Sequence, residues 1–426
     1  MSFLEEYKKQ NNGIRALVVC PTTLIYNWEN EIRKFTPALS YRIHHGGARS
    51  RNKDDFNGHD ITITTYGTLR SDIKLMVGVE FDYLILDESQ AIKNPSSKVT
   101  KAASLLNAKH RLCMSGTPLQ NNTFDIFAQM NFLNPGMLGT MEFFRQEFAM
   151  PIDKFGEEDR KEHLKKILYP FILRRTKEQV ARDLPEKQEM ILFCEMEDEQ
   201  RQIYDAYRND FRDKIIGTIQ EQGIQRSQLT ILQGLMKLRQ ICDSPAILNE
   251  QEKFENHSIK LEELAREITE NISNHKALIF SQFLGMLSLI KEKLNELGVK
   301  YEYFDGSTSA PDREVAIQSF QNDESVRVFL ISLKAGGVGL NLTAADYVYI
   351  VDPWWNPAVE QQAIDRTHRI GQTKNIFAYR MICKDTIEDK ILKLQEKKRA
   401  LAKDLIADDT TFVKSLTRED VEYLFS

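Results

Sequence analysis

Short apolar runs rich in β-branched and aromatic residues recur along the chain, and stretches of helical periodicity separate them. Residues 15–20, RALVVC, predict a buried strand that Pro21-Thr22-Thr23 ends. Leu24 to Phe35 predicts a helix, with Trp28 and Ile32 four apart on one face. Asp60 to Thr65 predicts a strand by its alternation, and Tyr66-Gly67 a turn out of it. Phe81 to Leu86 is a further buried run, delivering Asp87 and Glu88 at its carboxyl end. Arg111 to Met114 is another, followed by Ser115-Gly116-Thr117-Pro118. From 124 to 184 the pattern is helical, ending in the basic, amphipathic FILRRTKEQVARDLP. Gln188 to Cys194 reads as an extended connector, Asp198 to Cys242 as helix, and the polar stretch Asn249 to Ser258 as a linker.

A second alternating unit starts at Lys276 with KALIFSQF. Further strands are expected at Tyr301–Phe304, Val328–Ile331, Tyr347–Val351 and Phe377–Ile382. Helices are expected at Val359–His368 and Thr386–Ile406, with a short capped helix in the closing LTREDVEYLF. Strands alternating with helices imply an α/β fold with parallel sheets and sites at the carboxyl ends of the strands. The expected division is 1–123, 124–248 and 249–426: an α/β unit, a helical block with its connector, and a second α/β unit. The two α/β units suggest duplicated architecture without a repeat in sequence.

Composition narrows the class. At 426 residues the chain is long enough for two or three domains, each with its own core. No apolar run approaches the roughly 18 residues that cross a bilayer. The opening MSFLEEYKKQ has no apolar signal core. The five cysteines form no CxxC pair, which argues against a zinc site or disulfide framework and suits a reducing compartment. The net charge is −5, so binding to nucleic acid would require a local groove, not one broad basic face.

Two stretches carry candidate chemistry. At the end of a strand, Asp87 can hold Mg²⁺ beside a triphosphate while Glu88 orients or deprotonates water. In isolation the tetrapeptide DESQ reads rather as a solvated turn or helix cap. Further on, glycines at 336, 337 and 339 let backbone N–H groups close on a phosphate. Arg366 and Arg369, three apart on the expected helix, would share one face, either solvated or turned toward a polyphosphate.

The runs DPWWNP at 352–357 and DRTHRIGQ at 365–372, with DESQ at 87–90 and SGTPLQNN at 115–122, are specific together. The chain resembles the switching-defective/sucrose-non-fermenting (SWI/SNF) family of helicase-like ATPases from Ala16 to Ser426. The resemblance implies two RecA-like lobes with parallel sheets and helical protrusions, and ATP and Mg²⁺ as cofactors. It implies double-stranded DNA as partner, along with a possible DNA-bound protein, and no membrane. Asp87, Glu88, Gln362, Arg366 and Arg369 take its catalytic positions, with Asp87 on the metal. Gly116, Thr117, Gly337 and Gly339 take its nucleotide-side positions. Thr22, Thr65, Tyr66, Ser281, Gln282, Ser332, Lys334 and Trp355 take its DNA-facing ones. Gln90 stands where eukaryotic members usually have histidine, which suggests a bacterial-type member in the cytoplasm or nucleoid. His368 is expected to be structural.

One family element has no counterpart: GxxxxGK[ST] does not occur, and Gly371-Gln372-Thr373-Lys374 has the wrong order. In the family this loop precedes a helix resembling Ser2 to Lys9, so the expectation is a chain that starts just after it. Lobe one should then be incomplete, with unpaired backbone groups and exposed apolar surface, while lobe two from about Lys260 should fold alone. Three readings follow: an ATP-driven DNA translocase represented by a fragment, a non-catalytic DNA- or protein-binding module, or an inactive fragment.

Overall fold

A computed structural model describes residues 1–116, 123–175, 179, 184–224, 226–248, 254–272, 274–336, 340–353, 357–369, 371–399, 412–413 and 416–426. The chain divides into two compact units, Met1–Arg175 and Thr176–Ser426, each built on its own parallel sheet.

The first unit holds β1 (Ala16–Cys20), β2 (Tyr41–His44), β3 (Ile61–Thr65), β4 (Glu80–Leu86) and β5 (Asn107–Cys113), in the order β2-β3-β1-β4-β5. β1 and β3 are buried at every position; β1 therefore reads as an unbroken apolar run, while β3 alternates isoleucine with threonine. Leu17, Val19, Leu69, Phe81, Leu84 and Leu86 form the core on one face. Beyond β5 the helices Thr123–Leu133, Met141–Phe144 and Glu158–Leu168 enclose a smaller aromatic core of Phe127, Phe144 and Phe148.

The second unit holds β6 (Lys187–Cys194), β7 (Ala277–Ser281), β8 (Tyr301–Phe304), β9 (Val328–Ser332), β10 (Tyr347–Ile350) and β11 (Ile376–Cys383), in the order β6-β11-β10-β7-β9-β8. Its winding repeats the first sheet. β7, β8, β9, β10 and β11 take the places of β1 to β5, and β6 is added at the edge. In each sheet the chain reverses direction of growth between the first and fourth strands of that set. The crevice at their carboxyl ends is where doubly wound sheets bind ligands.

Several expectations change. Gln188–Cys194 is not a connector: β6 pairs with β11 along its whole length. The helices Asp198–Gln222 and Gln228–Asp243 contribute Tyr204, Leu235, Leu238 and Cys242 to the core under the second sheet. The expected helical block 124–248 is therefore split between the units, and a second lobe complete from Lys260 is not what the structure shows. β2 went unread, because Tyr41-Arg42-Ile43-His44 is a half-exposed edge without an apolar run. Tyr66-Gly67 does not turn out of β3 but starts the helix Tyr66–Met76, capped by the Thr65 side chain accepting from the Thr68 N–H. Among the described residues the five strands of the first sheet pair without a gap, with β2 and β5 at its edges.

Candidate functional site

In the first unit the switch-point crevice receives the segment after β1, the segment after β3 and the acid pair after β4. Asp87 and Glu88 are half-buried. The Asp87 carboxylate accepts from the Glu88 N–H at 2.9 Å and from the Trp28 indole Nε1 at 2.9 Å. Its backbone carbonyl accepts from the buried Tyr66 hydroxyl at 2.7 Å. Burial pushes the Asp87 carboxyl above its usual range, while the Trp28 and Glu88 donors pull it back. A divalent cation beside it would favour the ionised form further.

Glu88 has φ 50° and ψ 53°, a left-handed conformation uncommon outside glycine. This turn starts the short helix Ser89–Ile92. It also sends the Glu88 carboxylate to the Gln90 amide, which donates at 2.6 Å. The Ser115 hydroxyl donates to the Gln90 side-chain oxygen at 3.0 Å, and the Ser89 N–H to the Met114 carbonyl at 2.9 Å. Gln90 thus spans DESQ and the start of SGTP, whose Gly116 is exposed. Two partly open carboxylates with lone pairs to spare are the hard oxygen donors that suit Mg²⁺.

Just past the fourth strand of the second unit's set, one residue further on than Asp87, stands Asp352, fully buried. It accepts from the Gln282 N–H at 2.9 Å, which fixes the turn after β7. Arg239, also buried, donates to the Pro353 carbonyl at 2.7 Å. The Lys260 ammonium, without exposure, reaches the Val351 carbonyl at 2.7 Å, Glu388 at 2.7 Å and Asp243 at 3.0 Å. Burial works against that ammonium, but Asp243 and Glu388 outweigh it and hold its pKa well above the usual lysine value. Cys242, Cys383 and Glu388 also come together here, a grouping of metal-binding types invisible in the sequence spacing. It does not fit a cation: Lys260 and the Cys383 N–H already occupy both Glu388 oxygens, and burial pushes the Cys242 thiol far up. This cluster is structural.

The arginines are placed differently from the sequence expectation. The helix after β10 runs Pro357–Ile364 and ends before either of them. Arg366 and Arg369 lie in the following turn, so they do not share a helix face. Arg366 is buried, its carbonyl accepting from the Leu342 N–H at 3.1 Å, while Arg369 is half-exposed. Gln372 holds this turn, its amide donating to the carbonyls of Thr343, Ala345 and Thr367. His368 lies 2.9 Å from the Pro185 carbonyl through Nε2. Gln362 is half-buried on the helix itself.

Of the residues expected to face DNA, Thr22 is exposed and Gln282 half-buried. Thr65, Tyr66, Ser281 and Ser332 are buried. Thr65 caps a helix, Tyr66 holds Asp87, and the Ser281 hydroxyl accepts from the Phe283 N–H, so these side chains present little surface. Exposed Gly67 and Arg70 lie just beyond Tyr66. Thr117, Gly337, Gly339, Trp355 and the side chain of Lys334 lie outside the described residues. Sequence reasoning missed the contact of Trp28 with Asp87 and the Arg239–Lys260 cluster. The only signal for the latter was a lysine and an arginine within amphipathic helical segments.

Two family models match: the SNF2-related domain over residues 1–247 and the helicase conserved C-terminal domain over 259–371. Among curated proteins, the putative ATP-dependent helicase/translocase YwqA of Bacillus subtilis is 37% identical over 96% of this chain and 45% of its own length. An uncharacterised ATP-dependent helicase of Mycoplasma pneumoniae is 36% identical over 100% of this chain and 40% of its own. The TATA-binding protein-associated factor MOT1 of Saccharomyces cerevisiae is 32% identical over 99% of the chain and 26% of its own. The chain thus spans less than half the length of these relatives. The solved Sulfolobus solfataricus SWI2/SNF2 ATPase core in complex with dsDNA is 37% identical, with a TM-score of 0.48, over 99% of this chain and 88% of that one. No described helix is long and apolar enough to cross a membrane.

Proposed function

Because the chain belongs to the SNF2-related family, we propose that it is the motor portion of an ATP-driven translocase on double-stranded DNA. The observation that carries this reading is the acid pair at the switch point of the first sheet, with Asp87 oriented by Trp28 and Tyr66 and Glu88 in a strained turn. Asp87 would hold Mg²⁺, which supplies charge neutralisation at the β- and γ-phosphates. Glu88 takes up a proton from the attacking water or orients it, and Gln90 fixes its carboxylate. Within the second unit, Gln362, Arg366 and Arg369 take the family's catalytic positions, where guanidinium groups would stabilise charge as it develops on phosphate.

Contacts with DNA fall to exposed hydroxyls, backbone N–H groups and local cations: Thr22, the segment at 65–70, Gln282, and the segments of Lys334 and Trp355. Such contacts read phosphate, so binding weakens with salt and ignores base sequence. A DNA-bound protein is a possible second partner, given relatives named TATA-binding protein-associated factors.

A second reading is a binding module without turnover, favoured by the lack of any GxxxxGK[ST] among the 426 residues. ATP hydrolysis with and without duplex DNA separates the two, on this chain and on a version given a GxxxxGK[ST] segment at its amino end. DNA-stimulated hydrolysis in either supports the motor. Salt-sensitive DNA binding with no hydrolysis in both supports the module. Neither activity in either sinks both readings.

A further inference from the structure

Asp87 is held at two points by residues that belong to neither the acid pair nor the arginine turn. Trp28, from the helix after β1, donates its indole N–H to the carboxylate at 2.9 Å. Tyr66, the first residue of the helix after β3, donates its hydroxyl to the carbonyl of the same residue at 2.7 Å. Each donor sits close behind a segment that opens to solvent, Thr22 in one case and Gly67 in the other. Tyr66 is buried and Trp28 half-buried, so neither presents itself to a ligand as its main role. For Tyr66 a purely apolar alternative, phenylalanine, would pack nearly as well. What the polar atoms add is a fixed rotamer for the carboxylate and a fixed peptide plane at the strand end. That plane matters because the next residue, Glu88, is in the left-handed region and turns its carboxylate toward Gln90.

We infer that Trp28 and Tyr66 are positioning residues for Asp87, and that through them the segments after β1 and β3 set the geometry of the acid pair. A displacement of either segment by a ligand would be passed to Asp87 through one hydrogen bond, without a change in the sheet. The inference deepens the assignment of Asp87 to Mg²⁺ and rests on it for its functional meaning. The clamp itself rests only on the two contacts.

The chain has three tryptophans, at 28, 354 and 355, so 5-fluorotryptophan labelling gives three fluorine resonances, two of them from the other unit. In Asp87→Ala the Trp28 resonance should shift while the other two stay in place, which also reports that the second unit is intact. An unshifted Trp28 resonance overturns the clamp. Positioning is read from Mn²⁺ affinity, measured by water-proton relaxation on the full chain. Trp28→Phe should weaken binding by about tenfold, as loss of an orienting group behind a ligand typically does. Tyr66→Phe, which deletes one oxygen and keeps the packing, should weaken it in the same direction. Wild-type affinity in both variants overturns the positioning role. If the unsubstituted chain shows no saturable Mn²⁺ site, the metal assignment of Asp87 fails and the positioning role falls with it, while the fluorine shift still decides the contact.

Discussion

Two aspartates stand just past the fourth strand of each set in two sheets of the same winding, one half-buried beside a second carboxylate and the other sealed among buried cations. Asp87 follows β4 and Asp352 follows β10, the fourth strand of each set. In both units the segment after the first strand donates to that aspartate, Trp28 in one and the Gln282 N–H in the other. The difference lies in what surrounds them. Asp87 is half-buried, and the next residue is a second carboxylate. Asp352 is wholly buried beside Arg239 and Lys260, and the next residue is a proline. A carboxylate with water on one side can change partners at little cost, while one inside a closed ionic cluster cannot. Topology thus sets where a polar residue arrives, and burial decides whether it stays open to a ligand.

The largest effect that would test this contrast comes from cutting the chain. A piece beginning at Ser258 lacks β6, the two helices before it in the second core, Arg239 and Asp243. It should fail to fold, losing the cooperative denaturant transition that the piece 184–426 keeps. Cooperative unfolding of the shorter piece would show that the buried cluster is dispensable.

Next are the aspartates themselves. Under the motor reading, Asp87→Asn should lower turnover by about a hundredfold or more with little change in the unfolding midpoint. Asp352→Asn should act on stability instead, by about 1–3 kcal/mol, because a buried acceptor network loses its charge. The reverse pattern, read by ATP hydrolysis and urea unfolding on the same preparations, would break the comparison.

Removing Lys260 isolates the cluster. Lys260→Met leaves Asp243 and Glu388 buried without their cation and should cost the second unit about 3–5 kcal/mol. The triple variant Lys260→Met, Asp243→Leu, Glu388→Gln should recover part of it, as judged by chemical denaturation. No recovery would mean that the ions support the fold by more than mutual compensation.

The smallest effect concerns pH in the first unit. His44 is fully buried against Asp72, and burial holds its pKa below the ordinary histidine value. The unfolded chain takes up a proton near the ordinary value of about 6.5, and the folded chain resists it. Stability of this unit should therefore fall as pH drops below that value, and level off once His44 in the folded state protonates. His44→Gln should flatten this slope in thermal unfolding between neutral and mildly acidic pH. An unchanged slope would assign the dependence to other groups.

Much of this molecule was written in local runs. The inner strands β1, β7 and β9 were legible because a strand buried on both faces is apolar along most of its length, and β3 because isoleucine alternates with threonine in it. The acid pair was legible because it stands directly at such a strand's end, and the family because DPWWNP and DRTHRIGQ are contiguous. Edges were less legible: β2 and β6 mix exposed and buried positions, and only their partners β3 and β11 make them strands. The end of the helix before Arg366 was decided by Gln372 bonding back across the turn, which no periodicity records. Trp28 finds Asp87 across 59 residues, and Lys260 finds Glu388 across 128. Sequence alone fixes which residues want to leave water. Which polar groups they take with them, and whom those groups meet, depends on the packing of distant segments, because a buried donor is tolerable only where the fold brings it an acceptor.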